Sequence, residues 1–257
     1  MLNPELEAGS PRQDGIGTGS GAPVVTGPAR AAELDRRHRG RLAPELVRAM
    51  IEQEFPGQIA VVSSFGVEAA VILSLVAEID RATPVVFLDT DKHFAETLAY
   101  RHRLVERLGL IDVRTTTPDW RSIRYADSKG DLWRAHADHC CHIRKVQPLE
   151  QALTGFGAWI SGRKRYHGGE RGNLALFEWT DGRIKINPLA EWTAADIAAA
   201  FRERDLPLHP LALKGYTSVG CVPCTKRPSK ADAARDGRWN GLGKTECGIH
   251  KAKWARP

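Results

Sequence analysis

The chain of 257 residues, 42% hydrophobic, can bury one substantial core but would be stretched to build two full domains. No run approaches the roughly 20 apolar residues of a membrane span, and the opening residues lack the basic start and apolar core of a secretory leader, so a cytoplasmic protein is expected. The net charge of +6 implies an anionic partner; Lys and Arg recur beside glycines and cysteines, at 163–165 and 235–253, not in one block with interleaved aromatics, which favours a small anion over nucleic acid.

Residues 1–30 are rich in Gly, Pro, Ser and Thr, show no hydrophobic period and read as a disordered tail. From 59 onward, short β-branched runs alternate with longer amphipathic ones, the pattern of a parallel sheet covered by helices. The first strand is Ile59–Ser63, followed by a helix over 67–79. A second strand at 84–88 leads to a helix over about 94–108 and a third strand at 111–115. A helix over 144–153 precedes a strand at 158–161. Asp181-Gly182 separates the runs 174–179 and 183–186 and is a strong hairpin signal. Thr193 and Asp196 have capping-box spacing and start a helix through 204, which Pro207 closes. Beyond 207, frequent Gly and Pro predict loops with short helices.

Chemistry concentrates at a few places. Ser63-Ser64-Phe65-Gly66-Val67-Glu68 spans the junction of the first strand and its helix, where free backbone N–H groups and the positive helix end attract anions. An ordinary serine-capped turn is the plain alternative. Asp89-Thr90 ends the second strand at the same sheet edge. In a reducing compartment, five cysteines are metal ligands or reactive thiols before they are a disulfide frame, and the odd count fits four plus one. Cys221-Val222-Pro223-Cys224 and Cys140-Cys141 form two pairs suited to tetrahedral zinc or a cubane iron–sulfur cluster, with the adjacent pair leaning toward the larger group. A redox C-x-x-C beside a merely buried pair is the alternative. Cys247 stands apart in Glu246-Cys247-Gly248-Ile249-His250, among Lys244, His250, Lys251 and Lys253, where nearby cations favour the nucleophilic thiolate. Arg163, Lys164, Arg165, Arg171, Arg235, Arg238 and Lys145 are candidate anion holders, since a guanidinium fork matches phosphate or sulfate oxygens. Most of the nine histidines are expected in loops or at the surface.

Taken in order, these motifs resemble the assimilatory adenylyl-sulfate reductases of the sulfonucleotide reductase family. The resemblance runs from about Ile59 to His250. It rests on Ser63-Ser64-Phe65-Gly66, Phe87-Leu88-Asp89-Thr90, Cys140-Cys141-His142-Ile143-Arg144-Lys145, Lys185-Ile186-Asn187-Pro188-Leu189, the stretch from Gly215-Tyr216 to Cys224, that from Arg235 to Trp239, and Glu246 to His250. The resemblance implies a doubly wound α/β fold of the adenine-nucleotide hydrolase-like (HUP) type, mainly parallel, with helices on both faces. It further implies a catalytic domain over 31–240, a mobile C-terminal segment over 241–257, and a [4Fe-4S] cluster on Cys140, Cys141, Cys221 and Cys224.

By the same resemblance, Ser63, Ser64, Phe65 and Gly66 with Asp89 would line a nucleotide site. Lys145, Arg163, Arg171, Arg235 and Arg238 would face the phosphosulfate, with His250 also at the substrate. Cys247 would attack the sulfate sulfur of adenylyl sulfate, and thioredoxin or a glutaredoxin-like dithiol would release sulfite. The cysteine quartet favours adenylyl sulfate over its 3′-phosphorylated relative, which is the alternative substrate; a non-enzymatic iron–sulfur regulator that binds nucleic acid is the second alternative, and self-association is left open. Three positions depart from the family pattern: Asp91 in place of glycine, Tyr166-His167-Gly168-Gly169-Glu170 in place of a loop that usually carries Gln-Ser, and Asn240 at an often aromatic place.

Overall fold

The computed structural model describes residues 27–229, 234–239, 241–242 and 244–250. Residues 1–26 of the expected tail, Asn240, and residues 251–257, with Lys251 and Lys253, lie outside them. Six strands form one sheet: β1 (Ile59–Ser63), β2 (Val85–Leu88), β3 (Val113–Thr116), β4 (Ala158–Ile160), β5 (Phe177–Thr180) and β6 (Arg183–Ile186), in the order β3-β2-β1-β4-β6-β5. All neighbours are parallel except β5 and β6.

The β1 sequence IAVVS is buried at every position, as a central parallel strand covered on both faces requires. Its residues divide by alternation. Ile59 and Val61 enter a large core with Val85, Phe87 and Ile160; Ala60 and Val62 enter a smaller one with Val86, Leu88 and Trp159. The large core is filled mainly by α3 (Ala69–Ala77), in which seven consecutive side chains are buried, and by Tyr100 and Leu104 of α4 (Ala95–Leu108). The doubly wound α/β expectation holds.

The β5–β6 hairpin turns at Asp181 and Gly182, with φ of 51° and 79°, the two left-handed positions of a type I′ turn. The Thr193–Asp196 capping box forms and starts α9 (Ala194–Glu203). Two expectations need correction. Against a tail expected to reach residue 30, α1 (Gly27–His38) begins earlier, packs against β5, and is anchored where Arg30, Arg37 and His38 converge on Glu54. The segment expected as one helix over 144–153 starts earlier and is divided: α7 (Ala137–Cys141) runs through a wide π-turn (His142–Val146) into α8 (Gln147–Ala152). Further helices precede these: α2 (Ala43–Ala49), α5 (Trp120–Ala126) and α6 (Leu132–Ala135). Short α10 (Pro210–Leu213) follows α9. His38 and His209 are buried at 1% and 0% exposure, each held by a polar partner; His38 sits within α1, against the expectation of a loop or surface place, while His209 lies in a loop as expected.

Candidate active site

Strand order reverses between β1 and β4, so the loops leaving their C-terminal ends part and open a cleft. Ser63, Ser64, Gly66 and Glu68 line it from the first loop, and Arg163, His167 and Arg171 from the second. Lys145, Arg235, Arg238, Cys247 and His250 complete the wall. The first loop turns sharply because Phe65 takes a left-handed φ of 48°, stabilised where its N–H donates to Ser63 Oγ at 3.1 Å. Its ring points into the core against Phe87, centroids 5.5 Å apart, so Phe65 shapes the loop without lining the cleft. Asp89 also stands outside the lining, accepting the Asp91 N–H at 3.1 Å.

All four cysteines of the two pairs are buried, and Cys247 is half-buried. Cys221 and Cys224 pack with Trp239 against Cys247, while Thr90 Oγ1 lies 3.2 Å from Cys221 Sγ. Burial, and then the charges of Cys221, Asp127 and Cys224, push the Cys140 thiol up to about 11 against the charge of Arg144. The two pairs, eighty residues apart in sequence, thus sit within electrostatic reach. Among the described residues, no three or more His, Cys, Asp or Glu side chains are gathered as a metal-binding set.

The π-turn places Ile143, Arg144 and Lys145 all in buried positions, which a regular helix would fan around its axis by 100° each. Lys145 Nζ points at Cys247 Sγ, 3.7 Å away. A hydrogen bond from Cys141 holds the Cys247 thiol well below the usual thiol range; burial opposes this, and the charge of Lys145 and the Ile249 N–H reinforce it. Close packing needs Gly248, where a Cβ would sit 3.2 Å from Cys141 Cβ. Ile249 anchors the segment on the smaller core, and His250 stacks on Trp159 with centroids 6.0 Å apart. Burial, with Lys185 and three arginines nearby, keeps His250 neutral.

The basic wall has two parts. Arg163 binds Glu178 and Asn187, and Arg171 and Arg235 converge on Glu246. Burial would raise the Glu246 carboxyl, but the hydrogen bonds and charges of these two arginines prevail and bring it to about 2. Arg238 and Lys145 meet neutral oxygens or sulfur instead: Arg238 donates to Cys224 O at 3.3 Å and Ser218 Oγ at 3.4 Å, stacked 4.4 Å over Trp239. Sequence reasoning missed the Glu68 cluster. Its carboxylate gathers Lys164, the Tyr166 hydroxyl and His167, which in turn accepts from Arg171. Only the acidic residue after the glycine turn and the departure at 166–170 hinted at it. The structure brings together all the expected cleft residues except Phe65, Asp89 and Arg165, which points away to Glu191.

The chain matches the phosphoadenosine phosphosulfate reductase domain over residues 58–227. It is 46% identical to the adenosine 5′-phosphosulfate reductase of Mesorhizobium japonicum, across 86% of this chain and 87% of that one. It is 37% identical to the phosphoadenosine 5′-phosphosulfate reductase of Gloeobacter violaceus, across 81% and 89%. The crystal structure of phosphoadenylyl-sulfate (PAPS) reductase from Candida auris superimposes with a TM-score of 0.63 at 25% identity, across 76% of this chain and 96% of that one. The cleft at the sheet's reversal point, the convergent cysteines and this similarity agree, and the chain belongs to the phosphoadenosine phosphosulfate reductase family.

Proposed function

We propose that this protein reduces adenylyl sulfate to sulfite and AMP in sulfate assimilation, with Cys247 as nucleophile. The observation that carries this reading is the placement of the Cys247 thiol, pKa lowered, 3.7 Å from Lys145 in a cleft walled by arginines. The nucleotide would rest on the 63–68 loop, whose backbone turns around Phe65. Lys145, Arg163, Arg171, Arg235 and Arg238, with His250, would surround the phosphosulfate with donors and positive charge.

The Cys247 thiolate attacks the sulfate sulfur. An S–S bond forms, the sulfur–oxygen bond to phosphate breaks, and AMP leaves with that electron pair. One thiolate of thioredoxin or a glutaredoxin-like dithiol then attacks Cys247 Sγ, displaces sulfite, and the second thiol resolves the mixed disulfide to free Cys247. The dithiol is oxidised by two electrons.

The donor chemistry suits a [4Fe-4S] cluster: four buried thiols from two segments, with Arg144, Lys145, Arg238 and Lys244 close enough to shift their charge. Cys140, Cys141, Cys221 and Cys224 would hold it, and when bound it would supply electrostatic tuning of the site. No helix among the described residues is long and apolar enough to cross a membrane, in keeping with action in the cytoplasm. Sulfite release with thioredoxin and adenylyl sulfate tests the function; faster turnover of the 3′-phosphorylated nucleotide would reverse the choice of substrate.

A further inference from the structure

The four residues that end at Cys247, apart from the cysteine itself, each grip a different part of the fold. Lys244 pairs with Asp138 of α7, the Thr245 hydroxyl donates to Glu170, and Glu246 is taken by Arg171 and Arg235. Glu246 is the most enclosed of these, at 2% exposure. Arg171 meets both carboxylate oxygens side-on, Nε to Oε2 at 2.5 Å and Nη2 to Oε1 at 3.0 Å, and Arg235 adds Nη2 to Oε1 at 3.0 Å. The same Oε1 accepts the backbone N–H of Cys247 at 2.7 Å. Behind this clamp, His167 Nδ1 takes a bond from Arg171 Nη1 at 2.9 Å while its Nε2 faces Glu68 Oε2 at 3.0 Å. The grip on Glu246 is thereby tied to the loop after β1.

We propose that Glu246 is the positioning residue of the reaction: clamped by Arg171 and Arg235, its carboxylate fixes the Cys247 amide and so holds the thiol against Lys145. The idea rests on the assignment of Cys247 as nucleophile. A bidentate guanidinium–carboxylate pair defines direction as well as distance, and the carboxylate is bonded to the amide of the neighbouring nucleophile. A carboxylate that merely occupied a substrate anion's place would have no need of that last bond. Besides facing the phosphosulfate, Arg171 and Arg235 then also act on sulfur transfer through Glu246, and the loop carrying His167, Glu170 and Arg171 serves as the dock for residues 244–247.

The test compares full-length, anaerobically purified wild type with Glu246→Gln and Glu246→Ala. In substrate-free protein, the rate at which iodoacetamide modifies the Cys247 peptide should change at least about 10-fold in the Ala variant, faster where exposure dominates and slower where loss of the Lys145 contact does, with Gln intermediate because it keeps an acceptor for the amide. With adenylyl sulfate and thioredoxin, kcat should fall about 10- to 100-fold in the Ala variant with KM moving less than about threefold, and Gln should recover part of kcat. AMP affinity should stay within about twofold. Wild-type alkylation rates in both variants would overturn the proposal, and so would tighter adenylyl sulfate binding in the Ala variant, the mark of a competing anion. Should wild type make no sulfite at all, the assigned function fails, and the alkylation rates still decide the role of Glu246. The near-isosteric Gln variant carries the test if Ala impairs folding.

Discussion

At Cys247, reactivity is set by neighbours more than by the thiol. The Cys141 hydrogen bond and the Lys145 ammonium favour the thiolate against burial, which alone would suppress it. Cys247→Ser should therefore retain nucleotide affinity and lose sulfite production, and wild-type protein given adenylyl sulfate without reductant should gain a sulfite-mass adduct on the Cys247 peptide. An adduct on another cysteine would reassign the nucleophile. Arg238 is held over Trp239 by two long hydrogen bonds to neutral oxygens, which leaves its charge for a ligand. Arg238→Ala should lower kcat/KM by the equivalent of about 1.5–3 kcal/mol, the range for a hydrogen bond to a charged group. Asp91 explains itself by its backbone: its φ of 56° is the left-handed conformation that favours glycine, and aspartate tolerates it better than most residues. Asp91→Gly should leave the melting temperature nearly unchanged, whereas Asp91→Ala should cost about 1 kcal/mol by thermal denaturation.

At the scale of elements, short helices depend on specific caps. His209 Nδ1 accepts the Leu211 N–H at 3.1 Å to start α10, while Nε2 lies 3.2 Å from Thr97 Oγ1 of α4. Both roles fit the neutral ring with its proton on Nε2. Burial, helped by Arg103 and opposed by Glu96, lowers its pKa to about 4. Because the native value lies below the unfolded one near 6.5, the stabilisation is complete above pH 6.5 and is lost as pH falls from there through about 4. The stability profile should slope down across that window by up to about 3 kcal/mol, and His209→Gln should flatten it; an unchanged slope would remove His209 as the cause. The capping box of α9 makes a smaller claim, with Thr193→Ala costing about 1 kcal/mol.

For the whole molecule, the sheet's reversal point and the packing of residues 221–224 and 244–250 against it bring five cysteines to one end of the domain. If Cys140, Cys141, Cys221 and Cys224 hold an iron–sulfur cluster, anaerobically purified protein should be brown with visible charge-transfer absorption. Cys140→Ser or Cys224→Ser should then lose colour and turnover together, and colourless protein with one zinc would reject the assignment. Cys247→Ser should stay brown, since that thiol lies outside the quartet.

Hydrophobic run lengths and turn residues determined the alternating strands and helices: β1, the Asp181-Gly182 hairpin and the α9 cap are encoded locally, by burial on both faces, two left-handed residues and a side chain three positions from its partner. Spacing, neighbouring charge and motif order marked Cys247, the cysteine pairs and the arginines. Helix α1 was hidden because its start follows a Gly- and Pro-rich stretch and its anchor, Glu54, lies far along the chain. The division of the 137–152 helix, the inward turn of Phe65, and the Glu68–His167–Arg171–Glu246 chain were decided only in three dimensions. Each depends on partners tens of residues apart, and a buried charge is stable only where the fold delivers its counter-charge. That pairing appears in no local pattern of the sequence.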